Sequence, residues 1–93
     1  MSDKPVTRKL EIVNVKGLHA RAAAKLVEVV EGFDASAEVR MDGQTASGDS
    51  IMGLLMLAAG SGTTIDVETR GPDAEPLADA IAALVADCFG EEM

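Results

Sequence analysis

The spacing of apolar residues switches repeatedly between two periods along this 93-residue chain, and this switching restricts the fold more than any other sequence feature. Alternating apolar and polar residues predict half-buried strands, whereas apolar residues at i, i+3, i+4 and i+7 predict amphipathic helices. Five segments show these patterns, a third strand is expected to return after the Asp42-Gly43 turn, and an apolar run from Ile51 is predicted to be a short helix. The resulting order is strand, helix, strand, strand, helix, strand, helix. The predicted bounds of these segments are 7–13, 20–31, 35–41, 44–47, 51–59, 63–69 and, for the last helix, the residues after Asp73.

The connections between these segments predict how the strands pair. Asp42-Gly43 supplies the two-residue hairpin turn between the second and third strands. The first and second strands are joined through a helix and must run parallel, and right-handed crossover leaves room for the fourth strand between them, antiparallel to both. The predicted class is therefore α+β, an open-faced β-sandwich whose four-stranded antiparallel sheet, of order 1-4-2-3, is covered on one face by three helices. We expect residues 1–93 to form a single domain.

Charge and cysteine content narrow the functional classes. Eight Lys and Arg against sixteen Asp and Glu give a formal net charge of -8, without a basic stripe, so nucleic acid is not an expected partner. Such an acidic chain favours docking to proteins with basic faces. The single cysteine, Cys88, cannot form an internal disulfide and is predicted to lie in the core. Because the N-terminus also lacks a secretory signal, we expect a cytoplasmic protein.

The only histidine, His19, stands at the predicted start of the first helix. The unpaired N-H groups and positive dipole of a helix N-terminus would hold an anion on the imidazole, a phosphoryl group being the natural candidate, while keeping a neutral nitrogen as nucleophile. Arg21 offers a planar donor fork to phosphate oxygens. In the alternative interpretation, His19 only caps the helix and Arg21 is a solvated surface residue.

Other chemistries lack the residues that they require. A metal site needs three or four ligands, and one histidine with one core cysteine does not supply them. A hydrolytic dyad or triad lacks a second histidine or an exposed cysteine. We therefore predict no metal and no cofactor.

The run from Ile51 to Ala59 is apolar on every side, and a helix of this length in so small a domain cannot bury all its faces. It is also far shorter than the ~20 residues that span a bilayer, so no membrane association is expected. If Leu54 and Leu57 face the sheet, the remaining large side chains should form an exposed partner site. These side chains are Ile51, Met52, Leu55 and Met56. The alternative is that the whole run is core under a covering loop.

Ser50 is the predicted N-cap of this second helix. A phosphate on Ser50 would place up to two negative charges beside the apolar residues and disturb docking without unfolding the domain. The alternative is that Ser50 is only a good cap.

Two stretches, GLHARAAAK from Gly17 and ASGDSIMGL from Ala46, closely resemble the histidine-containing phosphocarrier (HPr) family of the bacterial phosphoenolpyruvate-dependent phosphotransferase system. The resemblance covers essentially the whole chain. It implies that His19 is phosphorylated on Nδ1 by Enzyme I and donates the phosphoryl group to an EIIA-type protein, with Arg21 helping to hold it. Such a protein is a phosphoryl-transfer intermediate rather than a turnover catalyst, and we expect a monomer.

The resemblance also assigns regulatory and docking residues. Ser50 corresponds to the regulatory serine of the family, the target of HPr kinase/phosphorylase in organisms that have that enzyme. The partner-binding residues that it implies are Ala20, Ala24, Ile51, Met52, Leu55 and Met56.

Several details favour the nitrogen-related branch of the family, often called NPr, whose cascade is regulatory and does not itself transport sugar. Ala22 stands where most sugar-system members have proline. The stretches 32–35, 54–57 and 88–92 look more like the nitrogen-related branch. A sugar-transport HPr remains the alternative within the family.

Two alternatives lie outside the family. The first is an acyl carrier modified with phosphopantetheine on Ser50, although acyl carriers are all-helical and four strands are predicted here. The second is an interaction module that uses the apolar residues 51–56, with His19 incidental.

Overall fold

A computed structural model describes residues 4–91 and confirms the predicted fold class. The strands and helices are β1 (Val6–Glu11), α1 (Ala20–Glu31), β2 (Ser36–Met41), β3 (Gln44–Ser47), α2 (Ile51–Met56), β4 (Thr64–Arg70) and α3 (Ala74–Ala86), followed by a 3-10 turn at Cys88–Gly90. The strand order is β1-β4-β2-β3, and every neighbouring pair is antiparallel, as predicted.

One face of the sheet packs against the three helices. Ile65 and Val67 of β4 are fully buried at the centre of the sheet, opposite Leu10 of β1 and Val39 of β2 respectively. The helices supply buried leucines and isoleucine to the same core, including Leu26, Leu54, Leu77 and Ile81. Within residues 4–91, no helix is both long enough and apolar enough to cross a membrane.

The strand β1 ends two residues before the predicted end at Val13. Ile12 leaves the strand and is bonded to the loop before β4, where its N-H donates to the Thr63 carbonyl at 2.8 Å. The alternation stops there: Val13 is exposed, and Asn14, which the pattern placed on the polar face, is fully buried. The loop between β1 and α1 therefore turns a polar side chain inward.

The helix α2 ends at Met56 rather than at the predicted Ala59. Ala58 takes a left-handed backbone conformation, with φ of 56°. This turn lets the Ala59 carbonyl accept a hydrogen bond from the N-H of Leu18 at 2.8 Å. A Cβ on Gly17 would lie 2.6 Å from the same carbonyl oxygen, so the loop before α1 needs glycine there. The early end of α2 thus fastens it to the loop that carries His19.

Helical spacing predicts that Leu77, Ile81, Leu84, Val85 and Cys88 form one apolar seam. The helix α3 buries Leu77, Ile81 and Val85 of this seam, and Leu84 is half-buried. Asp73 precedes the helix as predicted, but its carboxylate makes no capping bond and instead accepts from the N-H of Asp34 at 2.8 Å. The prediction that Cys88 extends the seam is wrong, because the α-helix ends at Ala86. Cys88 lies in the following turn and is only half-buried.

Candidate functional site

His19 is the N-cap residue of α1. Its backbone is extended, with φ of -85° and ψ of -178°, and its carbonyl accepts the N-H of Ala23 at 2.8 Å. The first turn of this twelve-residue helix contains no acidic residue. The imidazole of His19, which is about a quarter exposed, therefore lies where unpaired N-H groups and the helix dipole favour an anion.

Contacts on both ring nitrogens define the tautomer of the neutral imidazole. Nδ1 accepts a hydrogen bond from the backbone N-H of Arg21 at 3.3 Å, so it must carry the lone pair. Nε2 contacts the carboxylate of Glu91. Because an ionised carboxylate can only accept, Nε2 must carry the proton. Nδ1 is therefore the unprotonated nitrogen, and it faces the first turn of α1.

The carboxylate of Glu91 is itself held in place. Asn14 Nδ2 donates to Glu91 Oε1 at 3.0 Å and to the Gly17 carbonyl at 2.8 Å. Burial raises the pKa of Glu91, but the hydrogen bonds from Asn14 and His19 and the nearby positive charge of Lys16 outweigh burial, so its pKa lies below the ordinary value of 4.5. Glu91 is therefore ionised at neutral pH and available as an acceptor.

Asn14 and Glu91 belong to the site, and sequence reasoning missed both. Glu91 is separated by 77 positions from Asn14 and by 72 from His19. Neither alternation nor helical spacing relates residues at such separations. The stretch 88–92 was noted only for its resemblance to the nitrogen-related branch, and no local signal related it to His19.

Arg21 follows His19 by two residues and is exposed. Its backbone N-H, not its side chain, contacts the imidazole. In the range 4–91, no residue forms a hydrogen bond or ion pair with its guanidinium. The side chain is therefore free to bind an anion carried by His19.

The exposed side chains of α2 form an apolar surface, which we call the α2 patch. Ile51, Met52 and Met56 are 39%, 69% and 73% exposed, respectively. The alternative that the whole run is core is wrong for these three. Leu55 is only half-buried, whereas Leu54 and Leu57 are buried as predicted.

Further side chains lie around His19. Ala20 is exposed and Ala24 is half-buried on α1, which packs against α2. Val13 and Val15, in the loop that precedes His19, are 47% and 64% exposed. The sequence patterns did not single out these two valines, because the predicted strand included Val13 and Val15 fell in the loop after it.

Ser50 is the N-cap of α2, as predicted. Its Oγ accepts the N-H of Gly53 at 3.0 Å, and the residue is half-buried. It immediately precedes Ile51, so a charge on Ser50 would border the α2 patch.

Metal binding and acyl-carrier chemistry each require a particular arrangement of residues. Residues 4–91 contain no group of three or more His, Cys, Asp or Glu side chains that could hold a metal ion. The sheet of four strands is also incompatible with an all-helical acyl carrier.

One family model and several known proteins match most of this chain. The family model for the PTS HPr component phosphorylation site matches residues 6–87. The phosphocarrier protein HPr of Cupriavidus necator is 45% identical over 90% of this chain and 94% of its own. The phosphocarrier protein NPr of Escherichia coli K12 is 42% identical over 94% of this chain and 98% of its own.

A solved structure agrees with these relatives. The crystal structure of HPr-C-His from Thermoanaerobacter tengcongensis superposes with a TM-score of 0.87 at 36% identity, covering 97% of this chain and 99% of that one.

Proposed function

Because the chain belongs to the PTS HPr family of phosphocarrier proteins, we propose that His19 accepts a phosphoryl group from phospho-Enzyme I and passes it to an EIIA-type protein. The observation that carries the proposal is the position of His19 Nδ1 at the N-terminus of α1, where its lone pair carries no proton and accepts a 3.3 Å hydrogen bond from the Arg21 N-H. Nδ1 attacks phosphorus and the bond to the donor atom breaks. The protein is a transfer intermediate, since the same phosphoryl group then leaves for the acceptor.

The environment of His19 suits temporary rather than permanent binding of the phosphoryl group. The N-H groups of the first turn and the free guanidinium of Arg21 stabilise the negative oxygens of the phosphoryl group. The partly exposed imidazole remains accessible to the acceptor. A fully enclosed site would bind the group too tightly for a carrier.

The α2 patch, together with Ala20 and Ala24, serves as the docking surface for both partners. Supporting this role, the patch exposes two methionines, whose flexible side chains adapt to different partner surfaces. Donor and acceptor must reach the same nitrogen of His19, so they bind one at a time. We place this exchange in the cytoplasm, with the carrier acting as a monomer.

Ser50 regulates docking in organisms that contain HPr kinase/phosphorylase. Supporting this role, Ser50 caps α2 and directly precedes Ile51 of the patch. A phosphate there would have to be desolvated when a partner covers the patch, which weakens the complex.

The nitrogen-related cascade is the proposed branch. It is favoured by Ala22 at the usual proline position and by the stretches 32–35, 54–57 and 88–92. Relatives named HPr and NPr are similar to the chain to nearly the same degree, at 45% and 42% identity. The choice of branch therefore has to come from the identity of the donor and acceptor.

The test is phosphoenolpyruvate-dependent labelling by purified Enzyme I of the sugar type and of the nitrogen type, compared at equal concentrations. We expect an acid-labile phosphohistidine, assigned to Nδ1 by phosphorus NMR, which is absent in His19→Ala. Faster labelling by the nitrogen-type enzyme supports the proposed branch, and faster labelling by the sugar-type enzyme contradicts it. Absence of labelling by both enzymes contradicts the carrier function.

A further inference from the structure

The C-terminal turn brings Glu91 back to the N-terminus of α1. Cys88 and Phe89 both take left-handed backbone conformations, with φ of 55°, a conformation that costs non-glycine residues free energy. Burial of the Phe89 ring, which is fully inaccessible, offsets this cost. Lys25 Nζ donates to the Phe89 carbonyl at 2.7 Å and fastens the turn to α1. The position of Glu91 is therefore determined by the tertiary structure.

The amide of Asn14 supports the same arrangement at a cost. Asn14 is fully buried, and its Oδ1 has no hydrogen-bond partner. An unsatisfied buried acceptor lowers stability. Asn14 Nδ2 donates one hydrogen bond to the Gly17 carbonyl and one to Glu91. These two bonds explain why an amide side chain occupies this buried position. Asn14 thus orients the carboxylate that contacts His19.

We infer that Glu91 is a positioning residue for phosphoryl transfer, which it assists by accepting the Nε2 proton of His19 in a hydrogen bond while Nδ1 reacts. The inference rests on the proposed function. Two contacts carry it: Nε2 of His19 to one carboxylate oxygen, and Nδ2 of Asn14 to the other.

The positive charge that develops on the His19 ring explains how Glu91 contributes to phosphoryl transfer. When the Nδ1 lone pair forms the bond to phosphorus, the donor-phosphorus bond breaks with its electron pair returning to the donor, and the ring of His19 becomes positively charged. The proton stays on Nε2 throughout. A carboxylate hydrogen-bonded to that proton stabilises the positive ring, as a carboxylate stabilises imidazolium in a catalytic triad.

The same contact assists the second transfer. When the phosphorus bond to Nδ1 breaks, the electron pair returns to the ring, and a ring that is still protonated on Nε2 is a better leaving group than one that has lost its proton. Because Glu91 holds the proton on Nε2, it favours transfer in both directions. Its side chain is only 15% exposed, so it contributes little to docking.

The test compares Glu91→Gln with wild type and with Glu75→Gln. Glutamine keeps the shape of Glu91 but removes its charge. Glu75 is exposed in the first turn of α3, about 17 Å along that helix from its C-terminal end. Proton NMR measures the chemical shift and solvent exchange of the His19 Nε2 proton in the unphosphorylated proteins. Rapid-quench kinetics then measures transfer from phospho-Enzyme I over a range of enzyme concentrations.

We expect Glu91→Gln to move the Nε2 proton resonance upfield and speed its exchange, because a neutral acceptor forms a weaker bond than a charged one. Transfer at saturating Enzyme I should slow about fivefold to tenfold, with the half-saturating concentration unchanged. Glu75→Gln should match wild type in both measurements.

An unchanged Nε2 resonance in Glu91→Gln, or an unchanged saturating transfer rate, overturns the inference. Failure of wild type to accept phosphate from either Enzyme I would instead contradict the proposed function. The NMR measurement needs no partner protein, so it decides whether Glu91 holds the proton independently of that result.

Discussion

The two nitrogens of His19 have different surroundings, and this difference provides its chemistry at the scale of single residues. A backbone N-H faces Nδ1, whereas a carboxylate faces Nε2. Both contacts require the same neutral tautomer, and only the long hydrogen bond from the Arg21 N-H, at 3.3 Å, has to be given up when the Nδ1 lone pair reacts. Gly17 makes the arrangement possible, because its φ of 68° and the nearby Ala59 carbonyl leave no room for a side chain.

Arg21 is expected to act on the phosphoryl group rather than on the fold. Arg21→Ala should slow transfer roughly tenfold, since a charge-assisted pair of hydrogen bonds to phosphate is lost. Its exposed guanidinium has no partner in the described part of the chain, so the free energy of unfolding should change by less than about 0.5 kcal/mol. Rapid-quench transfer kinetics and urea unfolding measure the two effects.

Arg21→Lys is the matched control for charge. Lysine keeps the positive charge without the planar fork, so its transfer rate should fall between those of Arg21→Ala and wild type. Loss of the circular dichroism spectrum in Arg21→Ala would contradict this assignment and make Arg21 structural.

At the scale of elements, α2 combines a buried side with an exposed apolar side. Leu54 is fully buried, whereas Met52 and Met56 are mostly exposed. The helix is short because the chain must turn at Ala58 to reach Leu18. Backbone hydrogen bonding thereby joins the segment that follows the α2 patch to the loop that carries His19.

Ser50 allows the capping role and the charge effect to be separated. Ser50→Asp keeps a side-chain acceptor for the Gly53 N-H and adds a negative charge beside the α2 patch. We expect near wild-type stability but roughly tenfold weaker binding to Enzyme I, measured by calorimetry, because the charge must be desolvated in the complex.

Ser50→Ala should give the opposite result. Loss of the cap should lower the free energy of unfolding by about 1 kcal/mol and leave the affinity for Enzyme I nearly unchanged. Equal affinities of Ser50→Asp and wild type would contradict the regulatory proposal.

At the scale of the whole molecule, the sheet joins segments that are distant in sequence. The last strand, β4, inserts between β1 and β2, and its side chains point alternately to the two faces of the sheet. On the open face, Glu68 of β4 accepts hydrogen bonds from Arg40 of β2 and from Arg70. Arg70 lies in β4 itself.

The stability of the fold should depend on pH through Glu68. The hydrogen bonds from Arg40 and then from Arg70 lower the pKa of Glu68 below 4.5, with burial opposing them. Since its pKa is lower in the folded state, ionised Glu68 stabilises the fold above pH 4.5. This contribution is lost as the pH falls through the folded-state value.

Glu68→Gln should therefore be less stable than wild type at pH 7, and the difference should shrink as the pH falls below 4.5. Urea unfolding at a series of pH values measures it, with Glu75→Gln as the control for an exposed carboxylate. A difference that stays constant from pH 7 to pH 3 would show that Glu68 is not the titrating group.

The sequence by itself determined the features that depend on neighbouring residues. Alternation, helical spacing and turn residues are local signals, so they predicted the order of elements, the Asp42-Gly43 hairpin and the place of His19 before α1. Strand order followed as well, because the handedness of crossovers leaves few choices.

The remaining features were decided only by tertiary structure. Ile12 and Ala58 leave regular structure to satisfy hydrogen bonds between loops, which no local pattern records. The contact between Glu91 and His19 joins residues 72 positions apart. It exists because burial of Phe89 turns the chain end back onto α1, and that burial depends on a core assembled from the whole chain.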